Sequence, residues 1–361
     1  MNLTDAWYDK NTRWPLLLQP LEWLYCSLAK SQKRKKLAQQ WQPPCPLIVV
    51  GNITVGGTGK SPLTIELIDI LQRQGYKVGV VSRGYKAKIE RFPHQVTVHD
   101  ETAQVGDEPL MIVKRTQVNL VIDPNRVRAC QYLLANNDCD VIISDDGLQH
   151  YAMGRDIEIC VVDSARGLGN GHCMPVGPLR ELPSRLQSVD YIIQNGIKLD
   201  GKEPDSKKPD SKKQNNKILP WLNQQGLAPC FNMQLKPLAW QQLNTEQILS
   251  FDQFNQLISD NSYQVSAFAG IGNPQRFFNS VEELGIHAKT QSFADHYQYS
   301  AADFAQLNDK SVLCMTEKDA VKCENYVPAQ SYYLKIAAQL EPDFIQRLCE
   351  QLKKVTEQKR A

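Results

Sequence analysis

The stretch 48–61, IVVGNITVGGTGKS, limits what this chain can fold into more than any other part of it. It begins within an apolar run, 47–50, of the kind that forms a strand buried on both faces of a parallel sheet. A loop holding Gly56, Gly57 and Gly59 follows. Then come Lys60, Ser61 and Pro62, and apolar residues at helical spacing: Leu63, Leu67, Ile70 and Leu71. Strand, Gly-rich turn and helix in that order make a phosphate cradle. Glycines let backbone N–H groups curl round an anion without Cβ clashes, and the helix start adds partial positive charge. A lysine placed like Lys60 reaches a β/γ-phosphate, and a hydroxyl placed like Ser61 ligates Mg²⁺. The expected nucleotide-binding residues are therefore Thr54, Val55, Gly56, Gly57, Thr58, Gly59, Lys60 and Ser61. Thr54 is a departure, because loops of this kind usually begin with Gly at that position.

The rest of the chain is read around that unit. At 361 residues, two domains are expected, with ample material for cores. From 46 to about 196, strand-like runs at 47–50, 78–82, 118–122, 140–144, 157–162 and 191–194 alternate with helical patterns, and 96–98 reads as an edge strand. That alternation predicts an α/β fold: a mostly parallel sheet with helices on both faces. Residues 201–217 repeat PDSKK and lack apolar side chains other than Pro, so they read as a solvated insertion. Beyond 221 the pattern restarts, with strands at 265–269, 290–293, 311–315 and 332–336. Helices are expected at 275–284, from 300 or 301 to 308, and from 341 to 358. The expected organisation is an N-terminal segment 1–45, a first domain 46–220 and a smaller α/β domain 221–361 closing a cleft.

A net charge of +2 gives the molecule no global attraction to polyanions, so no nucleic-acid partner is expected, and the chain is read as a monomer. The 10 cysteines show no CxxC pair or zinc-type spacing and are read as reduced thiols. No apolar run approaches the about 18 residues of a membrane span, and no secretory signal is visible. The first 45 residues are nevertheless unusual. They crowd aromatics (Trp7, Tyr8, Trp14, Trp23, Tyr25 and Trp41), place Leu17, Leu21, Leu24 and Leu28 at helical spacing, and carry the basic run Lys33–Lys36. Such a segment suits the headgroup region of an anionic leaflet, or else packs on the main domain with a solvated basic end.

Several polar groups stand where chemistry could use them. Asp145 and Asp146 end an apolar strand downstream of the Gly-rich loop, where an acid holds Mg²⁺ or its waters. Asp107 and Glu108 open a helix. They serve either as simple helix-start acids or as the group that orients and deprotonates an acceptor hydroxyl. His296 lies in an apparent loop and either faces solvent or orients Asp107. Arg180, Arg83 and Arg166 suit an anionic substrate group or a surface ion pair.

Taken together, these motifs resemble the tetraacyldisaccharide 4′-kinase family, the lipid A 4′-kinases of Gram-negative bacteria. The resemblance runs nearly the whole length. It is carried by VGNITVGGTGKSP at 50–62, SRGY at 82–85, GDEP at 106–109, DDGLQH at 145–150, GPLRE at 177–181, AGIGNP at 269–274, DHYQY at 295–299 and TEKDAVK at 316–322. Thr54 is the family's own form of the loop, and 201–217 lies outside the shared pattern. The resemblance implies ATP and Mg²⁺ as cofactors and transfer to the 4′-hydroxyl of a tetraacyldisaccharide 1-phosphate, giving lipid IVA. It implies Asp107, His296 and Lys60 as catalytic residues, with Asp107 and His296 as the base assembly. Arg180, Glu181 and Glu108 fall on the substrate side, and Ser61, Asp145 and Asp146 on the metal. It also implies a peripheral or monotopic protein on the cytoplasmic face of the inner membrane, touching an anionic membrane surface. The rival reading is a P-loop GTPase or ATPase switch, which would not need the acid of GDEP or the aromatic-basic N-terminus.

Overall fold

A computed structural model describes residues 3–9, 12–197, 199, 226–243, 245, 247–323 and 327–360. The polar insertion at 201–217 and the expected domain start at 221 lie outside the described residues. Long-range contacts divide the chain into two compact units: Met1–Arg83 with Asn119–Leu235 and Ala338–Ala361, and Gly84–Val118 with Lys236–Ala337. This division differs from the expected 46–220 and 221–361. The segment bearing GDEP groups with the second unit, and the C-terminal helix Pro342–Arg360 groups with the first. Tertiary contacts set such a partition, and local sequence pattern does not record them.

The first unit is built on parallel strands β1 (Leu47–Gly51), β2 (Val78–Ser82), β3 (Asn119–Ile122), β4 (Val141–Asp145), β5 (Ile157–Asp163) and β6 (Tyr191–Asn195). Their order is β6-β5-β1-β4-β2-β3, and the start of β7 (Cys230–Gln242) continues it in parallel beside β6. Every residue of β1, β2, β4, β5 and β6 is buried, which explains why they read as near-continuous apolar runs. The order reverses at β1, which lies between β4 and β5. Open α/β sheets present ligand sites beyond the strand C-termini at such a switch point. The helix Lys60–Arg73 leaves β1 there and buries Leu63, Leu67, Ile68 and Leu71.

The N-terminal segment forms a 3₁₀ turn, Trp14–Leu18, and a helix, Gln19–Ala38. Pro15 and Pro20 sit at the openings of these two elements, where a missing N–H costs nothing. The leucine repeat faces outward: Leu17 is 83% exposed, Leu21 52%, Leu24 56% and Leu28 55%, with Trp23 at 67%. No helix of the described residues is long and apolar enough to cross a membrane.

The second unit has the parallel strands β8 (Gln264–Ala269), β9 (Ala288–Ser292), β10 (Ser311–Thr316) and β11 (Ser331–Leu340), ordered β9-β8-β10-β11. Its core stacks Trp240 on Phe254 at 4.7 Å between ring centroids, beside Tyr332. The expected helix to 308 shrinks to a 3₁₀ turn, Ala301–Phe304, closed by a Ser300/Asp303 capping box. A segment this short gains little from helix propagation, and burial of Phe304 against Tyr299 and Phe268 decides its conformation.

Candidate active site

In the first unit the Gly-rich loop is held from outside by backbone and amide groups. The Val55 N–H donates to the Pro178 carbonyl (2.8 Å), and the Arg180 N–H donates to the Ile53 carbonyl (2.7 Å). Thr54 is buried and pairs antiparallel with Leu179. The residue that departs from the usual loop thus serves as a strand residue at its entry. Asn195, at the end of β6, donates from Nδ2 to the Thr58 carbonyl (2.9 Å). Gly59 has φ +93°, and a Cβ there would meet Asn195 Nδ2 at 2.3 Å, so only glycine fits. Gly57 would meet nothing within 4 Å, which leaves open space on that face of the loop.

Lys60 and Ser61 open the helix, and Lys60 Nζ lies 3.6 Å from Asp146 Oδ1. Arg180 Nη1 donates to Asp146 Oδ2 at 3.1 Å. Burial pushes the Asp146 carboxyl up, but Lys60 and Arg180 outweigh it and hold the group below its ordinary value. Asp146 itself takes φ +48°, a left-handed conformation that an aspartate tolerates better than most residues. Asp145 is almost wholly buried and accepts a hydrogen bond from Thr64 Oγ1 (3.0 Å). Arg126, buried and without a sequence signal of its own, donates to the Asp145 backbone carbonyl at 3.0 Å. Burial lowers its guanidinium to about 10, opposed by the charges of Asp145 and Asp146, so it stays a cation at neutral pH.

The oxygen donors here fit a hard divalent cation such as Mg²⁺: one hydroxyl at the helix start and two carboxylates at the end of β4. Among the described residues no three His, Cys, Asp or Glu side chains cluster as a cation cage. Glu181 faces inward. It accepts from Gln149 Nε2 at 2.9 Å and from the Tyr151 hydroxyl, and it lies 3.6 Å from both Arg185 and Lys33.

In the second unit Asp107 opens the helix Asp107–Thr116, where the dipole favours a carboxylate. Gly106 turns the chain into it at φ +92°, and a Cβ there would approach the Tyr85 carbonyl to 3.0 Å. His296, in the loop after β9 with φ +59°, places Nδ1 2.9 Å from Asp107 Oδ2 and 3.1 Å from Oδ1. Lys318 joins them. Its Nζ is 3.0 Å from Glu108 Oε1, 3.5 Å from Asp295 Oδ1, 3.8 Å from Asp107 Oδ2 and 3.4 Å from His296 Nε2. A carboxylate can only accept, so the His296 Nδ1–H donates to Asp107. Asp295 Oδ1 lies 3.9 Å from the same ring's Nε2, so Lys318 and Asp295 flank the far side of the ring.

Burial would raise the Asp107 carboxyl, but the His296 hydrogen bond and the Lys318 charge overcome it and hold the group at about 2. Lys318 loses to burial and gains more from Glu108, Asp107 and Asp295, so its ammonium is pushed up. Tyr85 packs its half-exposed ring 5.3 Å from the His296 ring centroid. The expected pair is thus a cluster of Asp107, Glu108, Asp295, His296 and Lys318 on three separate segments. Lys318 had no signal beyond its place in the charged motif at 316–322.

A Gly-rich loop from the central strand, lysine and hydroxyl at the helix start, and acids at the end of the adjoining strand define a P-loop phosphotransferase class of fold. The family model for tetraacyldisaccharide-1-P 4′-kinase (LpxK) matches residues 14–353. Tetraacyldisaccharide 4′-kinase from Pseudomonas fluorescens Pf-5 is 44% identical over 346 residues, 95% of this chain and 93% of that one. The enzyme of that name from Legionella pneumophila Lens is 42% identical over 343 residues, 94% of each chain. The crystal structure of LpxK from Aquifex aeolicus in complex with ATP matches with a TM-score of 0.74 at 24% identity, covering 95% of this chain and all of that one. The chain belongs to the tetraacyldisaccharide 4′-kinase family, whose members are kinases that phosphorylate the 4′-hydroxyl of a tetraacyldisaccharide 1-phosphate.

Proposed function

We propose the following assignment of that transfer to the residues of this chain. The backbone N–H groups of 55–61 and the Lys60 ammonium take the β- and γ-phosphates of ATP, and Arg180 adds positive charge beside them. Ser61, Asp145 and Asp146 are the groups for Mg²⁺, which supplies charge neutralisation at the phosphates. Asp107 receives the acceptor hydroxyl and takes its proton, with the ring of His296 fixing the carboxylate's direction. Lys318 places its charge 3.8 Å from the Asp107 carboxylate and beside the His296 ring, and Glu108 lies on the acceptor side. The observation that carries this reading is the Asp107–His296–Lys318 cluster. It is an ionised carboxylate hydrogen-bonded to His296 with the Lys318 ammonium 3.8 Å away, an arrangement that a nucleotide switch has no use for. The product is lipid IVA. Incubating the protein with γ-labelled ATP and a tetraacyldisaccharide 1-phosphate in mixed micelles tests it. Label should move to the lipid. Label released only as free phosphate, or a strong preference for GTP, would overturn the assignment.

The acceptor carries four acyl chains, and each exposed CH₂ costs about 0.8 kcal/mol in water, so the enzyme works at a bilayer. The helix Gln19–Ala38 suits that surface. Its exposed Leu21, Trp23, Leu24 and Leu28 continue from Leu17 in the preceding turn, and exposed Arg34, Lys35 and Lys36 near its end complement an anionic leaflet. We place the enzyme peripherally or monotopically on the cytoplasmic face of the inner membrane. The variant Leu17→Ser/Trp23→Ser should co-sediment with vesicles containing anionic phospholipid at least about tenfold more weakly, since it removes two apolar side chains from the contact. Undiminished co-sedimentation would remove this face from the membrane contact.

A further inference from the structure

The helix Gln19–Ala38 has a second face, and its polar side chains converge on one loop. Glu22 is buried; its Oε1 accepts the Cys173 N–H at 2.6 Å and its Oε2 lies 3.0 Å from His172 Nδ1. One turn on, the Tyr25 hydroxyl donates to the Arg180 carbonyl at 2.9 Å. Two turns further, Lys33 lies 3.6 Å from Glu181 Oε2 and 4.3 Å from the centre of the Tyr151 ring. The contacts span 172–181, a loop closed on itself: the Leu179 N–H donates to the His172 carbonyl, and the Met174 N–H to the Leu179 carbonyl.

The other side of this loop is bonded to the nucleotide loop. Pro178, Leu179 and Arg180 pair with Ile53, Thr54 and Val55, and the Arg180 guanidinium reaches Asp146. The entry of the Gly-rich loop and the arginine paired with Asp146 are therefore set by a segment whose far side is bonded to Glu22 and Tyr25, with Trp7 Nε1 donating to the Pro175 carbonyl at 3.0 Å. A buried carboxylate is costly unless paired, and Glu22 finds its partners only on 172–173 among the contacts described.

We infer that Glu22 and Tyr25 are positioning residues for the nucleotide site, holding the 172–181 loop so that Arg180 and residues 53–55 shape the phosphate cradle. The inference rests on the reading of Thr54–Ser61 as the nucleotide loop. The N-terminal helix then has two jobs, an apolar outer face for lipid and a polar inner face that sets the donor site.

The test uses the full chain in detergent micelles, with direct ATP binding alongside steady-state kinetics. Tyr25→Phe deletes one hydroxyl and keeps the ring. It should raise the Kd and KM for ATP about three- to tenfold, as expected for one lost hydrogen bond, with kcat within about twofold. Glu22→Ala should weaken ATP binding by more than about tenfold. Glu22→Gln should restore most of it, because its amide oxygen can still accept the Cys173 N–H. Where Glu22→Ala does not fold, Tyr25→Phe and Glu22→Gln carry the test. A general loss of folding would lower kcat together with ATP affinity. Lys60→Ala separates the two readings. If it binds ATP like the parent, the nucleotide-loop reading fails. If it loses ATP while Tyr25→Phe and Glu22→Ala bind normally, the positioning inference alone is overturned. A change in kcat or in lipid KM without a change in ATP affinity would also overturn it.

Discussion

Asp107→Asn is expected to lower kcat by about 10³-fold, within the range seen for loss of a general base, while the KM for ATP moves by no more than about twofold. Asn keeps the size of the side chain and can still accept from the Glu108 N–H, which Asp107 Oδ1 does now at 3.0 Å. What it removes is the negative charge that can take a proton. A carboxylate held at about 2 is a weak base. That suits a loose phosphoryl-transfer transition state, in which the attacking hydroxyl is aimed first and gives up its proton late. The pH profile gives a second reading of the same group. The parent should keep Asp107 ionised well below pH 4. In His296→Ala the largest lowering influence is gone and burial remains, so the carboxyl moves up. The acid limb of kcat/KM should then shift to higher pH. A pH–rate profile checks this, and an unmoved limb would assign it to another group. An effect of Asp107→Asn confined to the KM for ATP would make Asp107 a nucleotide or metal contact.

The legible parts of this chain share a physical cause. Strands β1, β2, β4, β5 and β6 are buried on both faces, so each is a mostly apolar run that local pattern exposes. The Gly-rich loop is legible because backbone at φ +93° beside Asn195 leaves no alternative to Gly59. Asp145 and Asp146 are legible because carboxylates ending such a strand need a reason. What pattern does not record is tertiary. Lys318 reads as one charge among several in TEKDAVK, and only the fold brings it to Asp107, Glu108 and His296. The grouping of 84–118 with the second unit has no local signature either. The leucine repeat of the N-terminal helix is visible in sequence, but which face turns inward is decided by Glu22 and Tyr25 finding partners on 172–181. Two candidate residues, Asp146 and His296, take left-handed backbone conformations, a strain of about 1–3 kcal/mol each that persists only where surroundings enforce it.

Lys60→Ala should reduce kcat/KM by at least about 10³-fold, comparable to or beyond the loss of one preorganised donor in other transfer reactions. The Lys60 ammonium is held in an ion pair. Its Nζ faces Asp146 at 3.6 Å with little solvent exposure, and Asp146 is also held by Arg180. The loop backbone does not depend on that ion pair, because the Asn195 side-chain amide and the main chain of Pro178 and Leu179 hold it. A partly exposed pair of this kind is worth about 0–1 kcal/mol, so melting should shift by no more than about 2–4 °C. The Asp146 carboxyl, losing its leading cationic neighbour, moves up toward its ordinary value. The large loss must then come from weaker hold on the ATP phosphates and from the reaction itself. During transfer, negative charge spreads over the equatorial oxygens of the moving phosphoryl group, and a fixed ammonium opposite them is preorganised for it. Thermal melting measured beside steady-state kinetics distinguishes the cases. A stable, folded variant with near-parental kcat/KM would take Lys60 out of the catalytic site.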